Sequence, residues 1–345
     1  MSGRIILTSL VLVVLFFKPA RMVLIEAYRA AAFLSYGSLN FTRSAFLKHA
    51  KKFNEGETQT DMTGKNCIIT GANQGIGYAT AEALASRGAN VYLVCRSQAK
   101  GEKALSDIKA KTDNQNVSLE VCDLSSMQQI KDLASKYAST DQPLHVLVNN
   151  AGLMENERVT TAEGLEMNFA VNVAGVYALT ELLIPALEKA APEARVITVS
   201  SGGMYTQPLS TYLQYEDQKK MDGTSQYARN KRVQVAMAEH WTEVYGPKGI
   251  GFYTMHPGWA DTAALAQSMP GFRDRTKGLL RTVDQGADTI VWLAQQSNSQ
   301  LQPAGFYFDR VNSSKHLAGF QTSYSPDQVI PLVSAIRALC GLPSN

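Results

Sequence analysis

Six apolar runs of strand length, each followed by a stretch long enough for a helix, constrain this chain more than any other feature. The runs lie at 67–70, 91–95, 117–122, 146–149, 196–200 and 251–256. Uninterrupted apolar strands alternating with helices are the pattern of a parallel sheet buried on both faces. Helices fit between the runs, for example at 79–86, 128–137, 176–189 and 226–245. A further run at 305–308 follows a helical stretch at 284–295, and the tail at 328–340 reads as a helix broken near Pro331. The expectation is an α/β fold, a doubly wound parallel sheet in one domain at 61–312. An apolar and basic segment at 1–60 precedes it, and a tail at 313–345 follows.

Composition, with 45% hydrophobic and 18% charged residues, fits a packed core and excludes a disordered chain. The net charge of +3 hides an asymmetry. Residues 1–52 hold eight Lys or Arg against Glu26 alone, so that segment is +7 and the remainder −4. Such an arm points to a membrane surface or an import signal, and the chain has no basic patch with interleaved aromatics for nucleic acid. The apolar stretch 5–17 would span about 20 Å as a helix, short of a hydrocarbon core of about 30 Å. The next stretch, 22–34, carries Glu26 and Arg29 among apolar positions and reads as amphipathic. The segment is therefore read as a membrane anchor at the endoplasmic reticulum or a similar membrane, with a mitochondrial presequence or a secretory signal as alternatives. Cys67, Cys95 and Cys122 fall inside strands and, with Cys340, form no CxxC pair, which implies reduced core thiols facing a reducing compartment and no metal site.

The turn after the first run, Thr70-Gly71-Ala72-Asn73-Gln74-Gly75-Ile76-Gly77, lies between a strand and a helix. Glycines there let the backbone approach a pyrophosphate, and free N–H groups at the helix start attract its charge. Its GxxxGxG spacing departs from the common GxGxxG pattern. Together with Asn149-Asn150-Ala151-Gly152 at the end of the fourth run, it resembles the short-chain dehydrogenase/reductase family. The resemblance runs from about Thr63 to Arg310, roughly 70% of the chain. It implies a Rossmann-type fold and a nicotinamide cofactor, held at Gly71, Asn73, Gln74, Gly75, Ile76 and Gly77. By the same resemblance Asp123 and Leu124 contact the adenine, and Asn149, Ala151 and Gly152 line the groove. At the end of the second run a carboxylate would bind ribose hydroxyls, whereas a basic residue pairs with an extra phosphate. The chain has Cys95 and Arg96 there, so NADP (NADPH) is expected.

Family chemistry, as the resemblance implies, is hydride transfer between nicotinamide and a carbonyl or alcohol, with a tyrosine moving the proton. A free Tyr has a pKa of about 10 and needs a nearby positive charge, which a Lys four residues on can supply from the same helix face. Two YxxxK stretches occur. Tyr215 to Lys219 has two acids in its spacer, and Gly223 follows soon after. Tyr227 to Lys231 follows Thr224 and Ser225, which read as N-cap residues, and begins a long helical run. Tyr227 and Lys231 are the expected proton-transfer pair, also touching the cofactor, and Tyr215 is read as a loop residue. By resemblance Ser201 polarises the carbonyl, with Ser200 the alternative, and Asn172 disturbs its helix and holds a water beside the lysine. Pro257, Gly258 and Thr262 would bind the nicotinamide amide, while His256 reads as a strand-end residue.

The gap of 26 residues from Ser201 to Tyr227 predicts an inserted loop at 203–223 over the substrate pocket, as in the retinol-dehydrogenase-like branch. Stretches at 196–204, 255–262 and 285–289, with Asp309-Arg310, look closer still to one member of the family. The expected function is an NADP(H)-dependent oxidoreductase for a hydrophobic carbonyl or alcohol: a lipid-like aldehyde, ketone, retinoid or steroid. The alternative is a nucleotide-binding structural subunit of a membrane complex, and a second copy of the chain is a further partner expectation.

Overall fold

The computed structural model describes residues 18–215 and 221–343; the apolar stretch 5–17 and Lys219 lie outside them. Two helices, α1 (Lys18–Asn40) and α2 (Arg43–Ala50), precede the sheet. β1 (Asn66–Thr70) enters α3 (Gly75–Ala85), and β2 (Asn90–Cys95) enters α4 (Gln98–Thr112). β3 (Val117–Val121), α5 (Met127–Ser139) and β4 (Val146–Asn149) complete the first half. The second half holds α6 (Met167–Glu188), β5 (Arg195–Val199), α7 (Gly223–Tyr245) and β6 (Gly251–Met255). Then come α8 (Ala263–Ser268), α9 (Pro270–Thr276), α10 (Val283–Gln295), β7 (Phe306–Phe308), β8 (Val311–Asn312) and α11 (Pro326–Leu339).

The strands form one eight-stranded sheet in the order β3-β2-β1-β4-β5-β6-β7-β8, parallel up to β7 and antiparallel at β8. The chain winds outward from β1 to β3, then returns to place β4 on the other side of β1. The connections thus diverge between β1 and β4, which opens a crevice at the carboxyl ends of those strands. β1, β4 and β5 are buried along their whole length because helices cover both faces. One core, with Ile68, Leu147, Val176 and Trp241, lies under α5, α6 and α7, while the other, with Ile69, Leu84 and Ile290, lies under α3 and α10. All four cysteines are buried and free. α6 is long and apolar enough to cross a membrane, but 83% of its apolar window is buried in the core.

The stretch 29–50 does not stand apart from the domain. Phe41, 1% exposed, sits in a third cluster with Met204, Tyr205, Phe306, Phe308 and Phe320. Its ring meets His256 edge-on at 4.6 Å and Phe308 at 5.4 Å. Arg29 Nε donates to the Phe320 carbonyl at 2.6 Å. A boundary at residue 60 therefore passes through shared core.

The tail helix corrects one expectation. α11 runs unbroken through Pro331. Pro326 sits in its first turn, and Ser325 and Gln328 cap each other's backbone N–H groups, so the helix starts firmly. Pro331 is solvent-exposed and so is Asp327, the residue four back whose carbonyl loses its partner, so the loss falls on a group open to solvent.

Candidate active site

The crevice opens into a cleft of about 810 Å³ that gathers nearly every residue singled out in the sequence. At its floor the turn Thr70–Gly77 doubles back tightly. Gly71 has φ +67°, and a Cβ there would sit 3.0 Å from the Ala151 Cα. A Cβ on Gly77 would lie 2.4 Å from the Gly71 carbonyl oxygen, so only glycine allows this approach. Gln74 caps α3 without a side-chain hydrogen bond, which leaves N–H groups of the first helical turn free for an anion. Asn73, Gln74, Gly75 and Ile76 line the cleft beside them. This cradle, open N–H groups at a helix start with no side chain filling the space, fits the pyrophosphate of a dinucleotide.

Arg96, Asp123 and Leu124 line the cleft at the ends of β2 and β3, where the adenosine half would lie. Arg96 is exposed and makes no ion pair among the described residues. Asn149 corrects an expectation: it lies behind the wall, 1% exposed, with Nδ2 donating to Thr180 Oγ1 at 2.9 Å. Asn150 lines the cleft instead and ties it to the glycine turn, its Nδ2 donating to the Thr70 carbonyl at 2.8 Å. The two asparagines are adjacent, and strand alternation, which sends one into the core and the next out, is the signal that separates them. Ala151 and Gly152 line the groove as expected.

Ser201, Tyr227 and Lys231 meet beyond Gly152. α7 begins earlier than Thr224 and Ser225 implied. Asp222 is its N-cap, accepting from the Thr224 N–H at 3.1 Å, and its Oδ2 takes the Ser225 hydroxyl at 2.6 Å. Tyr227 thus stands in the second turn of a fixed helix, near the Ser201 hydroxyl. Ser200 faces inward and donates to the Lys231 carbonyl at 2.9 Å, so Ser201 is the serine presented to a substrate. Lys231 Nζ donates to the Val199 carbonyl at 2.8 Å and lies 5.3 Å from the Tyr227 ring centre. Tyr215 is buried with φ +55° and does not line the cleft, so geometry as well as sequence separates it from Tyr227.

Asn172 sits one layer behind. It lies in a five-residue π turn, Ala170–Ala174, within α6. Its side chain bridges Leu153, accepting from the N–H at 3.0 Å and donating to the carbonyl at 2.8 Å, while its own carbonyl accepts from Gln234 Nε2 at 2.7 Å. A Cβ on Gly152 would be 3.1 Å from Asn172 Oδ1 and 3.4 Å from Lys231 Nζ, so both groups converge on that glycine. Across the cleft, Gly258 has φ +72°, and a Cβ would strike Arg281 Nε at 2.4 Å. Pro257, Gly258 and Thr262 line the cleft, and the Thr262 hydroxyl also caps α8 by accepting from the Leu265 N–H at 3.1 Å. His256 is fully buried, stacked on Phe308 at 4.1 Å; burial pushes it well below the usual histidine range, and it takes no part at the cleft.

Burial raises Tyr227 to about 12, opposed by the nearby Ser201 hydroxyl, and lowers Lys231 to about 7. Both groups are driven toward their neutral forms. Tyr227 therefore holds its proton near neutrality and is placed to give it to an oxygen that gains negative charge, with the Ser201 hydroxyl beside it. A nicotinamide cofactor bound in this crevice supplies or accepts the hydride.

Of the apolar wall, sequence reading anticipated the stretch 259–272 and the inserted loop but not α1. Phe33 and Leu34 of α1 line the same cleft as the catalytic groups, with Met154, Trp259, Leu265, Met269 and Phe272. From the inserted loop, Gly203, Thr206 and Gln207 join them.

The sequence profile described as short chain dehydrogenase matches residues 65–271. Dehydrogenase/reductase SDR family member 12 from Homo sapiens is 44% identical over 90% of this chain and 98% of that protein. Retinol dehydrogenase 11 from Homo sapiens is 32% identical over 72% of this chain and 78% of that protein. Among solved structures, 3-oxoacyl (acyl-carrier-protein) reductase from Agrobacterium tumefaciens with NADP bound superposes with a TM-score of 0.58 at 20% identity, covering 72% of this chain and 94% of that one. At that identity the likeness shows the fold. With the glycine turn, the crevice and the Ser-Tyr-Lys arrangement in place, the chain belongs to the short-chain dehydrogenase/reductase family, an oxidoreductase that works on alcohol and carbonyl groups with a nicotinamide cofactor.

Proposed function

We propose that the protein is an NADPH-dependent reductase of hydrophobic carbonyl compounds held at a membrane surface. The observation that carries the reading is that one cleft is lined both by Tyr227, Ser201 and Lys231 and by the apolar Phe33, Trp259 and Phe272. A substrate with a long apolar body fits that wall, and similarity to retinol dehydrogenases supports the same class.

For the cofactor, an exposed Arg96 with no acidic partner among the described residues favours the extra phosphate of NADPH. Arg96→Asp is expected to raise the KM for NADPH by tenfold or more, since a charge-assisted bond is worth about 1.5–3 kcal/mol, and to narrow the gap to NADH. Equal selectivity in the variant and the wild type contradicts the assignment.

Membrane association is supported by the exposed face of α1, where Leu24, Tyr28 and Leu39 are 52%, 54% and 77% exposed. Exposed Arg43, Lys48, Lys51 and Lys52 follow on and after α2, a combination that suits an anionic lipid surface. The full chain is expected to stay in the pellet after carbonate extraction of membranes; release into the supernatant contradicts the reading.

A further inference from the structure

In the first turns of α7, Thr224, Ser225, Tyr227 and Ala228 line the cleft. Gln226, between them, does not: it is fully buried, and its amide reaches a polar cluster around Glu166. Glu166 is fully buried as well, and its carboxylate accepts four N–H bonds. Oε1 takes the Asn168 backbone N–H and Asn168 Nδ2, both at 2.8 Å. Oε2 takes the Phe169 N–H at 2.9 Å and Gln226 Nε2 at 3.0 Å. Glu166 makes no ion pair among the described residues, so these donors alone offset its burial. The two backbone bonds form the N-cap at the start of α6. A cap does not need the two side-chain bonds, and these lead to the active site by separate routes.

Through Asn168 the cluster reaches the cleft wall. Asn168 Oδ1 accepts from the Glu155 N–H at 2.7 Å and Nδ2 donates to the Glu155 carbonyl at 3.1 Å, which fixes a residue that lines the cleft. The first residue of α7 packs on that same carbonyl, since a Cβ on Gly223 would lie 2.3 Å from its oxygen. Through Gln226 the cluster holds the residue directly before Tyr227. Gln226 Nε2 also donates to the Leu213 carbonyl at 2.6 Å, and the Glu166 N–H donates to Gln214 Oε1 at 3.0 Å, so the end of the inserted loop is tied in too. Asp222, the cap of α7, is exposed, whereas these bonds are buried and costly to leave unmade. The roll of α7 about its axis is therefore set from the inside.

We propose that Glu166 is a positioning residue for the reduction: through Gln226 it sets the roll of α7 that aims the Tyr227 hydroxyl, and through Asn168 it holds the wall at Glu155 on which α7 rests. This rests on the carbonyl-reductase reading above. Glu166 does not line the cleft, so it acts on the proton transfer only through Tyr227.

The test is NADPH-dependent reduction of decanal by the detergent-solubilised full chain, with NADPH affinity measured alongside by fluorescence titration. Glu166→Gln and Gln226→Met are each expected to lower kcat about tenfold to a hundredfold, the scale of a misplaced reacting group. NADPH should bind each variant within about threefold of wild type, because the glycine turn is tied to Asn150 rather than to this cluster. The double variant should be about as active as the worse single, since both substitutions break one contact. If Glu166→Gln fails to fold for want of its cap, Gln226→Met decides alone, because it leaves the bonds to Asn168 and Phe169 in place. A Gln226→Met enzyme with kcat within about twofold of an active wild type overturns the proposal alone. Losses that multiply in the double variant, or NADPH affinity that falls in step with kcat, overturn it as well, because they mark general loosening. A wild-type chain that reduces neither decanal nor any other aldehyde contradicts the oxidoreductase reading, and the proposal falls with it.

Discussion

Tyr227→Phe is expected to lower kcat/KM for carbonyl reduction by about a hundredfold to ten-thousandfold, the usual contribution of a positioned general acid. The variant keeps the ring that Lys231 faces at 5.3 Å and removes only the hydroxyl that meets Ser201. Because burial holds Tyr227 up at about 12, its proton is in place at neutral pH and the hydroxyl is the donor the reaction loses. Tyr215→Phe is the matched control, since Tyr215 does not line the cleft. Steady-state NADPH oxidation reads both. A Tyr227→Phe enzyme within a few-fold of wild type would show that another group carries the proton.

The largest expected effect on stability comes from Arg281. Its side chain is buried, pairs with Asp309 through Nη1 at 2.5 Å and Nη2 at 2.9 Å, and lies over the Phe308 ring at 4.7 Å. It also donates to the carbonyls of Asn40 and Phe41, which pins the turn between α1 and α2 beside the loop holding Gly258. Arg281→Leu leaves the Asp309 carboxylate buried with His49 as its remaining side-chain partner and should cost about 3–5 kcal/mol in urea unfolding. Arg281→Leu combined with Asp309→Leu should recover part of that loss, because the uncompensated charge is gone. A single variant within about 1 kcal/mol of wild type would mean the N-terminal helices are held by the Phe41 cluster alone.

The sheet was legible because strand-length apolar runs and the glycine turn are local patterns. The turn also carried its own check, since a GxxxGxG between a strand and a helix leaves few alternatives. Tyr227 could be chosen over Tyr215 because the acids and Gly223 near the second motif are local features as well. What could not be read were contacts made across long sequence distances. Phe41 meets Phe308 and Arg281 meets Asn40 only in the folded chain, so the amphipathic pattern at 22–34 did not show that α1 and α2 dock on the domain. Thr42, which caps α2 by accepting from the Ala45 N–H at 3.4 Å, was the one local signal of that pair. The break expected at Pro331 failed for the opposite reason. The local rule was sound, but a proline near a capped, exposed helix start costs one hydrogen bond, at a group open to solvent. Asn149 and Asn150 show the same limit at single-residue scale, because the motif fixes the pair and the pleat decides which one faces the cleft.

The most direct test of the central claim is NADPH oxidation by the purified, detergent-solubilised full chain against a panel of hydrophobic aldehydes and ketones. The account predicts turnover on members with long apolar bodies, faster with NADPH than with NADH. Tight NADPH binding without turnover on any of them would contradict it and identify a protein that keeps its nucleotide as a structural element.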